Sequence, residues 1–199
     1  MTKIEWKPGN MLYPLPAVLV TSMNKKGQHD VCTVAWAGTV CTNPPMVSIS
    51  LRPSRLSYDY ICETGVFVIN VTTEKLVRET DYCGVRSGRD EDKFEKMSLQ
   101  ASVGPHTGCM MLDESPVNIE CKVFEKKALG SHTMFIANVV AVHVDDAYMD
   151  ESKRFDFAKT QPIVYSHGEY RGLGKYLGKF GYSIAKKRVK KGSRPKFKR

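Results

Sequence analysis

The chain has 199 residues, 42% of them hydrophobic, which suits one buried core in a single domain. Its net charge of +9 is uneven: nine of the 30 Lys and Arg lie in residues 186–199, which hold no acid, and the other 21 are balanced by 21 Asp and Glu. No run of about twenty apolar residues is present to cross a membrane, the charged start Met1 to Pro8 does not read as a secretory signal, and a cytoplasmic protein with no membrane partner is expected.

Pro14-Leu15-Pro16 opens the apolar run 17–23, which reads as a buried strand closed by the turn Asn24-Lys25-Lys26-Gly27. The run 31–38 reads as the next strand and ends in the small residues Ala35, Ala37 and Gly38, which leave room for another backbone or a flat ligand. Asn43-Pro44-Pro45 is a turn without ladder donors, and 46–51 alternates apolar residues with Ser48 and Ser50, a strand with one serine-bearing face. Ser54 is placed to cap a helix over 55–63 that Thr64-Gly65 would end. An anion at that helix start would meet free N–H groups; the alternative is that Ser54 only caps and Arg52 is solvated.

Residues 66–71 read as a buried strand and 73–82 as a helix with Leu76, Val77 and Thr80 on one side. Next comes Tyr82-Cys83-Gly84-Val85-Arg86-Ser87-Gly88-Arg89-Asp90-Glu91-Asp92-Lys93-Phe94, which gathers glycines, a hydroxyl and three cations and leads into a helical turn at 93–97. Such groups suit a phosphate, because glycine allows close backbone approach and charged donors make roughly twice as strong a bond as neutral ones. The order is neither G-x-x-x-x-G-K-[ST] nor G-x-G-x-x-G, and the same composition also fits a polar turn.

Residues 117–124 and 133–144 form the longest β-like runs, a hairpin about Gly130-Ser131. A loop follows to Thr160, then a short strand at 163–165. The glycine-spaced segment 167–182 is a poor isolated helix and reads as a wrap over a partner surface. The tail 186–199 has too few apolar residues to pack and is expected to be disordered or peripheral. Phe197 is its one aromatic residue, so a solubilising extension is preferred over a nucleic-acid arm. The six cysteines, Cys32, Cys41, Cys62, Cys83, Cys109 and Cys121, contain no C-x-x-C pair, so free thiols and no metal site are expected. Turn-linked strands with a few short helices point to a mainly β, antiparallel barrel or sandwich spanning 1–185.

In this order, Thr33-Val34-Ala35-Trp36-Ala37-Gly38, Pro44 to Ser54, Phe67-Val68-Ile69-Asn70-Val71, Cys83 to Phe94, Ile119 to Val123, Leu129 to Phe135 and Glu169 to Gly174 resemble the flavin reductase-like family of FMN-binding split-barrel proteins, and within it the flavoredoxin branch. The resemblance implies an antiparallel split β-barrel, a homodimer, and one noncovalent FMN per subunit near the dimer interface. It also implies an oxidoreductase passing electrons between NAD(P)H or a protein electron donor and the flavin; the alternative is a non-catalytic electron carrier. For the phosphate, the expected contacts are Arg52, Ser54, Ser87 and Lys93. For the ring edge they are backbone groups of Ala35, Trp36, Ser50 and Leu51. Thr33, Ser57, Cys83 and Gly84 complete the expected cofactor-binding set, with core filling as the other reading of Cys83. His132 and His167 are candidates to line the open face of the ring, each with an ordinary structural histidine as the alternative. Asp30 departs from the family, which often has Asn six positions before the Trp, and puts an anion in the expected neighbourhood; the basic tail is also unmatched.

Overall fold

The structure, a computed structural model, describes residues 1–184. The expectation for residues 186–199 lies outside the described residues.

Seven strands form one antiparallel sheet: β2 (Val18–Met23), β3 (His29–Val34), β4 (Ala37–Thr42), β5 (Pro45–Leu51), β6 (Val66–Val71), β9 (Val117–Ala128) and β10 (Thr133–Val144). Their spatial order is β3-β2-β6-β9-β10-β5-β4. The first and last strands of that order are consecutive in sequence, separated by Ala35 and Trp36 alone. A two-residue link cannot span a flat seven-stranded sheet whose strands are about 4.8 Å apart, so the sheet must curl until its ends meet. The core inside the curl joins both ends, since Cys32 and Val34 of β3 pack in one buried cluster with Val47, Ile49 and Leu51 of β5 and with Phe67 and Phe135. The fold is therefore mainly β, an antiparallel split barrel with few helices.

A second cluster lies on the other face of β2 and β3, where Leu19 and Val31 meet Leu76, Cys83, Met97, Leu99 and Leu112. Strand β2 is thus buried on both faces, which explains its unbroken apolar run. Helices α2 (Val77–Val85) and α3 (Lys93–Met97) contribute to this second cluster, while α1 (Leu56–Thr64), which follows β5, also packs against β2. Three smaller strands, β1 (Leu15–Pro16), β11 (Ile163–Ser166) and β12 (Glu169–Gly172), form a separate sheet in the order β1-β11-β12, and β7 (Ala101–Val103) pairs with β8 (Met110–Leu112).

Several sequence expectations are corrected. The run 31–38 is two strands, because the chain turns at Ala35 and Trp36, where the Ala37 N–H donates to the Ala35 carbonyl at 3.0 Å. Ser54 does not cap α1; Arg55 occupies that place, without a side-chain cap bond, because Arg52 to Arg55 form a turn closed by the Arg55 N–H on the Arg52 carbonyl at 3.0 Å. The C-terminal end of α1 is as expected, with Gly65 left-handed at φ 71. Helix α2 runs on through Cys83 and Gly84 to Val85, so the first part of the phosphate-like stretch is helix rather than loop. The first six residues of the glycine-spaced segment, 167–172, belong to the β11–β12 hairpin, which turns at His167 and Gly168.

One buried carboxylate ties a loop to the barrel. Glu120 of β9 accepts from Thr107 Oγ1 at 2.7 Å and from the N–H groups of His106 and Thr107 at 3.0 and 2.8 Å, and its other oxygen lies 2.8 Å from His143 Nε2. Burial opposes its ionisation, but the bonds from Thr107, His143 and His106 outweigh that and hold its pKa below the ordinary carboxylate value.

Candidate functional site

Two cavities meet at the seam between β3 and β4. The smaller, about 130 Å³, is lined by Thr33, Val34, Ala35, Trp36, Ser50, Leu51, Arg52, Arg55 and His132. A larger one, about 670 Å³, is lined partly by Leu12, Trp36, Gly38, Ser48, Leu129 and His132. Trp36, Ser50 and His132 border both, so the two form one groove.

The barrel's closure places these groups. Thr33 is the penultimate residue of β3, its hydroxyl donating to the Thr80 carbonyl of α2, and Ser50 is the penultimate residue of β5, its N–H donating to the Trp36 carbonyl at 2.8 Å. That bond fixes the turn at Ala35 and Trp36 against the end of β5. His132 comes from the tight β9–β10 turn, with Ser131 Oγ 2.9 Å from its Nδ1. Burial first, and then the Arg52 cation, lower the His132 pKa, so at neutral pH the imidazole is uncharged with one N–H donor and one acceptor.

The cationic end is built from Arg52 and Arg55. Arg55 also braces the neighbouring loop, donating from Nη2 to the Gly84 carbonyl at 2.6 Å and from Nη1 to the Arg86 carbonyl at 3.4 Å. Gly84 suits the close approach of α2 to β3, since a Cβ there would stand 3.2 Å from Thr33 Cβ and one of the two would have to give way by a few tenths of an ångström. Arg89 ties the two polar loops together: its N–H donates to Ser87 Oγ at 3.2 Å, its Nε to the Ser54 carbonyl at 3.4 Å, and its Nη2 to Asp59 Oδ2 at 2.6 Å.

The structure thus brings Thr33, Ala35, Trp36, Ser50, Leu51, Arg52 and His132 to one groove, with Ser54 and Ser87 on its adjoining loops and Gly84 in the last turn of α2. Others sit elsewhere. Lys93 and Asp30 form a buried pair, Nζ to Oδ1 3.0 Å, with side chains only 2% and 3% exposed. Ser57, also buried, donates to the other Asp30 oxygen at 2.5 Å. These residues line a third cavity of about 320 Å³ or stand behind it, and the Lys93 charge is spent on Asp30. Cys83 is fully buried in the α2 cluster, and burial pushes its thiol up to about 12. His167 is in the β11–β12 turn at φ 51, its ring 5.7 Å from Tyr13, and borders neither part of the groove.

Sequence reasoning missed Arg55 as a site residue. The signal was present in Arg52-Pro53-Ser54-Arg55, where the turn that brings Arg52 to the groove necessarily brings Arg55 too. It also missed the contribution of residues 9–12, which carry no motif.

The groove fits a flat molecule with an anionic end. It is cationic at Arg52 and Arg55, offers strand-end backbone and hydroxyl groups at its middle, and widens into a largely apolar compartment. In structure, the chain superposes on flavoredoxin of Desulfovibrio vulgaris (Miyazaki F) with a TM-score of 0.85 and 30% identity, covering 92% of this chain and 100% of that one. It superposes on flavoredoxin from Methanosarcina acetivorans with a TM-score of 0.83 and 27% identity, covering 93% and 100%. In sequence it is 26% identical over 133 residues to a flavin reductase of Pseudomonas putida, covering 67% of this chain and 75% of that one. With the "Flavin reductase like domain" family model matching residues 10–174, the chain that builds this groove belongs to the flavin reductase-like family.

Proposed function

We propose that the groove binds FMN noncovalently and that the protein passes electrons between NAD(P)H, or a protein electron donor, and the bound flavin. The observation that carries this is the joining of a cationic cavity to a larger, flatter apolar one at Trp36, Ser50 and His132. Bound FMN would supply the redox chemistry, as cofactors of this kind do. The chain's part is to hold and orient it. Arg52 and Arg55 offset the phosphate charge, with Ser54 and Ser87 as hydroxyl donors on loops that Arg89 keeps together. Backbone groups at Ala35, Trp36, Ser50 and Leu51 meet the polar edge of the ring. His132, uncharged at neutral pH, lines the compartment beside it and offers an N–H without adding a second cation next to Arg52. Lys93 and Ser57 serve from behind, by fixing the 86–93 loop to β3 and α1 through Asp30.

Titrating the flavin-free protein with FMN, then adding NADH or NADPH without oxygen, tests the proposal. Saturable FMN uptake with loss of the visible flavin absorbance on adding one nucleotide supports it, and no uptake refutes it. Uptake without turnover of either nucleotide would make the protein a carrier that docks on a redox partner.

The same reading includes a homodimer. Phe124, Val140 and Val142 of the β9–β10 hairpin are exposed at 67%, 36% and 55%, apolar surface that a second copy would cover.

A further inference from the structure

Residues 1–12 have an unusual relation to the barrel. They form no helix or strand, and among the described residues no hydrogen bond joins them to the rest of the chain. Their large apolar side chains are exposed: Ile4 at 86%, Trp6 at 70%, Met11 at 56% and Leu12 at 85%. Yet Gly9, Asn10, Met11 and Leu12 line the larger cavity, together with Trp36 and Leu129. Firm attachment begins only at Tyr13, whose ring meets Tyr165 at 6.0 Å and His167 at 5.7 Å, and at Leu15–Pro16, which pairs with β11. A segment with few buried contacts and no hydrogen bonds opens at low free-energy cost. The largest cavity in this groove therefore has one wall that can move and others that cannot.

We propose that residues 9–12 are the movable wall of the compartment that receives the second redox substrate, and that Met11 and Leu12 select for a flat heteroaromatic ring of nicotinamide size. This rests on the FMN reading given above. The chemistry of the wall favours such a ring. Met11 offers a polarisable thioether suited to an aromatic face, Leu12 and Leu129 offer apolar cover, and Asn10, with Ser48 and His132 across the lining, offers polar groups for a ring edge. A bulkier acceptor would have to displace the wall and lose that cover. His167 contributes to the anchor through its ring, 5.7 Å from Tyr13.

The test uses the full chain carrying Trp6→Phe, which leaves Trp36 as the sole tryptophan. Two further variants are made on it: deletion of residues 2–12, and Met11→Ala with Leu12→Ala as the milder change should the deletion fold poorly by circular dichroism. Acrylamide quenching of Trp36 in the flavin-free protein is expected to rise about two-fold or more in the deletion and to a smaller degree in the double variant. With FMN saturating, the KM for NADH or NADPH should rise about five-fold or more, and by a larger factor than the Kd for FMN. Unchanged quenching in both variants would overturn the wall, and raised quenching with unchanged KM would overturn its role in selection. If the Trp6→Phe parent itself takes up no FMN, the function reading and the choice of substrate both fall, and the quenching result still decides whether the wall exists.

Discussion

Arg52 and Arg55 are the side chains on which cofactor affinity should depend most directly. Removing either takes away a charge-assisted contact worth about 1.5–3 kcal/mol, so Arg52→Ala and Arg55→Ala should each weaken FMN binding about ten- to a hundred-fold. Fluorescence titration with FMN reads this out, and Arg55→Ala should also loosen the C-terminal end of α2, where it holds the Gly84 and Arg86 carbonyls. Lys93 is the contrasting case. From sequence it looked like a free cation, because nothing in Asp90-Glu91-Asp92-Lys93 reveals that Asp30, some sixty positions earlier, lies 3.0 Å away. Its removal would leave Asp30 buried and unpaired, a change of about 3–5 kcal/mol that would mix stability with binding. Glu120 gives a pH-dependent prediction. Its folded pKa lies below the ordinary value of 4.5, so its stabilisation is present above about pH 4.5 and is lost as pH falls through the folded value. Glu120→Gln should therefore cost about 2 kcal/mol at pH 7 by urea unfolding, and the gap from the parent protein should shrink steadily in acid below pH 4.5.

Among the elements, the phosphate-like stretch shows what sequence could and could not tell. Its glycines and hydroxyl were read as tools for close backbone approach to an anion, and two of them do allow close approach, but to protein atoms. A Cβ on Gly84 would crowd Thr33, and one on Gly88 would overlap the Asp30 carboxylate. Gly88→Ala should accordingly break the packing around the Asp30–Lys93 pair and lower stability by about 1–3 kcal/mol, measured by thermal or urea unfolding. Strands with strong period or unbroken apolar runs, such as 18–23, 45–51 and 66–71, were legible within a residue or two, as was the end of α1 at Gly65, while the long hairpin was legible except that β9 runs four residues past its expected end at Phe124. The break at Ala35 and Trp36 was not. Locally that run opens with β-formers and passes into small residues without a turn signal at Ala35-Trp36, and the demand that β3 and β4 lie at opposite ends of one sheet forces the turn. The 101–112 hairpin was missed for a related reason, since its strands are three residues each and owe their place to Asn70, whose Oδ1 accepts from the Leu112 N–H at 3.0 Å.

For the whole molecule, the barrel class was legible from turn-linked strands, and the family from the order of its short motifs. The joining of the two loops was not, because Arg89 and Arg55 make it through contacts of about thirty positions' separation. The proposed dimer makes a prediction at this scale. Placing a charge at the exposed Val142 with Val142→Lys should convert a species of twice the chain mass of 22.4 kDa to a monomer by light scattering, since an uncompensated charge in an apolar contact is strongly unfavourable. A monomeric parent protein would refute the dimer.

The two-residue link at the seam has a thermodynamic consequence. Because Trp36 both closes the cylinder and borders the groove, ligand occupancy and barrel integrity are coupled through one short piece of backbone. A ligand at a hundred times its Kd adds about 2.7 kcal/mol to global stability, and the seam is where that increment should first become visible. The Ala37 and Ser50 amides, which donate to the Ala35 and Trp36 carbonyls, should slow their hydrogen exchange on FMN addition more than amides of the distant β7–β8 hairpin. Equal protection everywhere would mean that the ligand only raises the global unfolding barrier, whereas selective protection would mark the seam as a latch that the cofactor fastens.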